Sequence, residues 1–177
     1  MSQLFSFVQR KSTLMLSLLI VILCLIVFAV IQGDALRGKT GLFTMQTAHT
    51  VEELQTILAE WGERGVRVYL QLMYADFIFP LAYGLLLSSA IARLTVHDVD
   101  ENGGNSLFLL PLVAGGMDWI ENIFHIFMLQ NPDHLEPLPT LLAAVAASAK
   151  WALLGISLAV VLVNVLKRLL QKKADSQ

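Results

Sequence analysis

The sequence predicts an all-α integral membrane protein, a four-transmembrane-helix bundle with an amphipathic interfacial helix in the first extracytoplasmic loop. Three observations carry that expectation. Hydrophobic residues make up 56% and charged residues 15% of the 177 positions, with a mean hydropathy of +0.66; soluble domains hold roughly 45–50% apolar and about 25% charged residues. Four stretches are long and apolar enough to cross a bilayer core about 30 Å thick, which takes ~20 helical residues. They also lack two-residue alternation, so of the two structures that satisfy their backbone in lipid the helix is favoured over the closed barrel. At this length the chain reads as a single membrane domain, 1–177.

The first span, about 13–32, is TLMLSLLIVILCLIVFAVIQ and carries no charge. Arg10 and Lys11 precede it, as in a secretory signal. Its apolar run exceeds the roughly 7–15 residues of a signal core and no A-x-A site follows, so it is read as a retained, lipid-facing anchor. In the connection that follows, Thr50 and Glu53 have the spacing of a capping box, and Val51, Leu54, Ile57, Leu58 and Trp61 recur on one helical face. This predicts an amphipathic helix at about 50–62, ended by Gly62 and Gly65, with Trp61 as an interface anchor. It serves either as a lid or as a surface filler. The second span, about 68–94, contains one acid, Asp76, and Pro80 is expected to kink it. The third, about 107–130, contains GGMDWIENIFH, and the fourth, about 139–166, has one base, Lys150. The acidic, Gly/Asn-rich link 95–106 reads as a solvated turn, and His49, His97 and His134 as solvated loop residues.

Lys and Arg are distributed unevenly. Arg10, Lys11, Arg93, Lys167, Arg168, Lys172 and Lys173 fall on one side, while NPDHLEPLP between the last two spans has no base. The positive-inside rule then places both termini in the cytoplasm, in a cytoplasmic (inner) membrane. Arg37, Lys39, Arg64 and Arg67 on the other side weaken the asymmetry without reversing it. A net charge of −2 with no basic face excludes nucleic acid as a partner. Cys24 is the single cysteine, so neither an intrachain disulfide nor a thiol zinc site is available.

The candidate site is built from charges inside the spans. Each Asp or Lys near a helix centre costs about 2.5–3.5 kcal/mol on insertion, against a return of about 0.3–0.6 kcal/mol per large aliphatic or Phe. The third span, with two acids, is therefore marginal unless they find partners. Asp118, Glu121, Asn122 and His125 are spaced i, i+3, i+4, i+7 and share one face, with Gly115 and Gly116 admitting a neighbour one turn earlier. At ~1.5 Å per residue, Asp76, Glu121, Lys150 and Asp118 lie roughly 12 to 18 Å from the outer ends of their spans, in one layer, with His125 nearer the surface. Tyr69, Met73, Asp76, Pro80 and Tyr83 follow one stripe, so tyrosine hydroxyls are expected to frame Asp76. Three carboxylates against Lys150 leave an excess of negative charge that requires a proton, a bound cation or water. Glu121 and His125 lack the paired Glu-x-x-His and HExxH patterns, so neither a metal nor another cofactor is expected.

The stretch DFIFPLAYG on the second span has an acid shortly before a proline. Together with four spans and a helix-bearing outer loop, it resembles EXPERA-type membrane proteins. The likeness covers the layout and about ten residues, and DWIEN and Lys150 stand outside the pattern. It implies an apolar ligand, such as a sterol or other lipid, bound within the bundle.

These residues leave three functional classes open. Asp76, Tyr83, Asp118, Glu121, Asn122, His125 and Lys150 can bind a proton, a cation or a small polar or lipid headgroup in a transport or binding component. Four spans are few for a transporter, so this class implies a homo-oligomer or a membrane partner subunit. A lipid-modifying enzyme would use one carboxyl as acid, another as base, and His125 as relay. A structural or assembly factor would use the same cluster to fix helix packing.

Overall fold

The computed structural model describes residues 2–95 and 106–174. Among them the chain is helical, with no strand. Three helices are long and apolar enough to cross a membrane, or four if a bent pair is one span. The 95–106 link, with His97, lies almost wholly outside the described residues.

A short helix not expected from the sequence, α1 (Ser2–Val8), precedes α2 (Lys11–Gln32). Along α2 only Thr13 and Ser17 are buried, while Leu16, Leu19, Leu23 and Ile26 are exposed. The same inversion holds on α6 (Leu110–Leu129), which follows a 3₁₀ turn, Ser106–Leu109. Its polar Asp118, Glu121, Asn122 and His125 face inward and Ile120, Ile123 and Phe127 face outward. A polar interior under an apolar exterior is the reverse of a soluble bundle and suits a lipid solvent.

After α2 the chain turns through α3 (Leu42–Gln46) into α4 (Val51–Ala75). The expected capping box starts α4, with Thr50 accepting from the Glu53 backbone N–H and the Glu53 carboxylate accepting in return. The helix does not stop at 62. Gly62 interrupts it with φ +64°, in the left-handed region that only glycine enters without strain, and the helix resumes through Gly65 to Ala75. Its apolar face is covered by protein. Leu54, Ile57, Leu58 and Trp61 form one core with Leu36, Met45, Tyr69 and Leu129. Trp61, expected at the interface, is 1% exposed, and its indole N–H donates to the Thr40 carbonyl at 3.0 Å. Lys39 and Thr40 bind back to Trp61 and Glu60, closing the link over the helix. His49 and His134 are exposed, as expected.

The stretch expected as the second span is broken rather than merely kinked. α4 ends at Ala75, α5 (Phe79–Leu94) begins after three intervening residues, and the two axes differ by 51°. Pro80 stands in the first turn of α5, where its missing N–H is tolerated. The break exposes backbone carbonyls, and the Trp119 indole donates to that of Phe77 at 2.9 Å. Helices α5 and α6 then approach closely at Gly115, where a Cβ would lie 2.9 Å from the Pro80 carbonyl oxygen. Gly116 has no such neighbour, so one of the two glycines serves the packing. Finally α7 (Pro137–Ala174), longer than the expected 139–166, makes its main interface with α6. Ala143, Ala144, Ala146 and Ala147 are buried there, and such small residues let two backbones approach.

Candidate functional site

Lys150 enters between α6 and α7 from the helix turn that follows this alanine run. Its ammonium lies 3.1 Å from Asp118 Oδ1 and 2.5 Å from Glu121 Oε2, with the Trp151 ring 5.3 Å away. Asp118 and Glu121 are one helical turn apart on α6, so a single cation between them meets both. The second oxygen of Asp118 accepts a hydrogen bond from the Tyr83 hydroxyl of α5 at 2.9 Å. Asp76, at the break, accepts from the Asn122 amide at Oδ2, also at 2.9 Å. The Tyr69 hydroxyl lies 3.3 Å from His125 Nδ1, which is 3.7 Å from Glu121 Oε1.

All seven residues singled out in the sequence therefore meet. Glu121 and Asn122 are fully buried, Asp118, His125 and Lys150 nearly so, and Asp76 is the most exposed of the acids at 9%. Two details differ from expectation. The tyrosines do not frame Asp76, since Tyr83 bonds Asp118 and Tyr69 pairs with His125. His125 is buried at 2% exposure and packs its ring against Tyr69 inside the bundle.

Beside the cluster is a cavity of about 490 Å³, a size typical of small-molecule sites, which run about 300–1,000 Å³. Asp76, Tyr83, Asp118 and Lys150 line it, whereas Glu121, Asn122 and His125 lie behind it. The remaining wall is largely apolar and includes Met73, Phe79, Leu87 and Leu154. Phe28 and Gln32 of α2 also line it, as do Leu42 and Gln46 of α3. The sequence assigns the first span no part in the site; Gln32, a polar residue closing the C-terminal half of α2, is the available signal. The α7 rim is formed by Trp151, Gly155 and Leu158, all exposed. The cavity thus has an apolar body, a polar end, and a rim on the apolar flank of the bundle.

Three carboxylates and one ammonium sum to −2 when all are ionised. Both Asp118 oxygens are engaged, by Lys150 and by Tyr83. Among the described residues nothing donates to Asp76 Oδ1. Glu121 Oε1 and Asn122 Oδ1 are buried without a hydrogen-bond partner, behind the cavity. The polar end consequently offers acceptors in excess of donors, and a molecule entering it is favoured if it donates hydrogen bonds or carries positive charge. Comparisons with protein families, with curated proteins and with solved structures return no match, so the site is read from its own geometry.

Proposed function

We propose that this chain is a four-span binding protein of a cytoplasmic-type membrane, with both termini cytoplasmic, which holds a membrane-soluble amphiphile inside the bundle. The ligand's hydrogen-bond-donating, preferably cationic, head lies against Asp76 and Asp118. Its apolar part fills the volume between Phe28, Phe79, Leu87 and Leu154. The single observation that carries this reading is the 490 Å³ cavity, whose body is apolar and whose end holds Asp76 with an unengaged oxygen. A site whose role was helix packing alone would have no use for an unfilled volume beside its charges. The α3–α4 segment supports a cover over one end of the site, because Leu42 and Gln46 already reach its wall.

A specific observation favours a packing role for part of the cluster. Glu121, Asn122, His125 and Tyr69 do not line the cavity, and they make contacts with one another, with Lys150 and with Asp76. They position the groups that face the ligand.

The test is mass spectrometry of lipids and small molecules that copurify with wild type, Asp76→Asn and Leu154→Trp. The expected result is an amine- or hydroxyl-bearing amphiphile retained by wild type and depleted in both variants. Identical profiles in the three proteins would refute ligand binding at this site.

A further inference from the structure

A second groove lies where α5 ends and is independent of the polar cluster. It has a volume of about 590 Å³, and its walls come from three helices. α5 contributes Ala90 and Arg93, α7 contributes Val161, Val165 and Arg168 at i, i+4, i+7, and α2 contributes Leu14. Each wall passes from apolar to cationic in the same direction. On α2 the charge-free span begins directly after Lys11, one turn before Leu14, and Arg10 adjoins it.

Both arginines are held in place by backbone carbonyls. Arg93 donates through Nη1 to the Gln9 carbonyl at 2.8 Å, and Arg168 through Nη2 to the carbonyls of Arg93 and Leu94, both at 2.9 Å. A guanidinium has five N–H donors, so most of each fork is unused by these bonds. The carbonyls fix the two side chains without cancelling their charge. Neither arginine is paired with a carboxylate among the described residues. Two fixed, exposed cations at the mouth of an apolar groove between candidate spans fit a phosphate diester with an attached acyl chain.

We propose that this groove binds one anionic phospholipid, with its phosphate between Arg93 and Arg168 and an acyl chain along Leu14, Val161 and Val165. Arginine suits this role better than lysine because its planar fork binds a phosphate in two places. The bound lipid would join α2, α5 and α7 at one end of the bundle and stabilise it by binding the folded state alone.

The full chain in neutral detergent is titrated with dioleoylphosphatidylglycerol, with dioleoylphosphatidylcholine, or with inorganic phosphate. Melting is followed by tryptophan fluorescence and bound lipid is counted by native mass spectrometry. Phosphatidylglycerol is expected to raise the melting temperature and remain bound as one copy, while the other two do neither. Arg168→Gln is expected to weaken it about fivefold, the equivalent of one basic residue at an anionic surface. That variant also removes contacts to the end of α5, so Val165→Trp, which fills the groove and keeps both arginines, serves as a second variant with the same expected loss. Equal binding of phosphatidylcholine, an equal effect of inorganic phosphate, or unchanged phosphatidylglycerol binding by Val165→Trp would each overturn the proposal.

Discussion

Asp76, Tyr83, Asp118 and Lys150 face a cavity, whereas Glu121, Asn122, His125 and Tyr69 lie behind it, Tyr69 beside His125, His125 beside Glu121, and Asn122 bonded to Asp76 in front. The two layers use the same chemistry, a carboxylate met by a donor, yet differ in what lies beyond. Behind the rear layer is packed helix. In front of the forward layer is space. An intramembrane carboxylate is therefore not informative by itself, and its meaning depends on whether an oxygen remains for a ligand to reach. Lys150 belongs to both layers, since it contacts Asp118 in front and Glu121 behind.

That shared position predicts the largest effect. Lys150→Met strands two buried acids, and losing one partner of a buried ion pair typically costs about 3–5 kcal/mol. A large fall in the detergent melting temperature is expected, and unchanged melting would show that the ammonium does not join the layers. Gly115→Ala comes next, because the added methyl would meet the Pro80 backbone that sets the forward layer against α6. Such overpacking costs about 1–3 kcal/mol. Gly116→Ala, with nothing nearby, should be neutral or stabilise by up to about 1 kcal/mol through helix propensity. Equal melting of the two alanine variants would remove the distinction between them.

Glu121→Gln and Asp76→Asn separate the layers directly. The rear substitution is expected to lower stability by about 1–3 kcal/mol, as the charged contact with Lys150 is lost, with ligand copurification retained. The front one should leave melting within about 1 kcal/mol, since the Asn122 bond can persist, while the copurifying ligand is lost. The reverse pattern would invert the assignment.

The smallest expected effect lies outside the spans, at Glu60. Hydrogen bonds from Thr40 hold its carboxyl below the ordinary value of 4.5. A group whose folded value is depressed contributes stability that is complete above its unfolded value and is lost as the pH falls through the folded one. Glu60→Gln should therefore melt slightly below wild type near neutral pH and converge with it in acid. A constant gap across that range would exclude the carboxylate as the cause.

Hydropathy located the apolar segments because the cost of burying backbone in lipid leaves few alternatives to a long helix. The shared site was also legible, since i, i+3, i+4, i+7 spacing determines a helical face and a fixed rise per residue determines a depth. What escaped depends on contacts distant in sequence. Trp61 has the pattern of an interface anchor, but whether its helix meets lipid or protein depends on where Leu36 and Met45 return. The break at residues 76–78 follows from Pro80 and from Trp119 on another helix, which satisfies a freed carbonyl. Gly115 and Gly116 are alike until Pro80 is placed against one of them. The cavity had no sequence signal, because an unfilled volume belongs to no residue.

The break in the second span also has an electrostatic consequence. α4 ends at Ala75 with Asp76 as its C-cap, so the carbonyl end of its last turn lies beside the carboxylate. The aligned peptide dipoles of a helix give that end a partial charge of roughly −0.5. A carboxylate is disfavoured there, and a cation or donor that reaches it is stabilised by backbone and side chain together. Half-helices ending inside a bundle supply cation sites in transporters by the same means. Substituting Asp76 removes only part of the negative potential at the polar end, because the remainder is carried by the main chain.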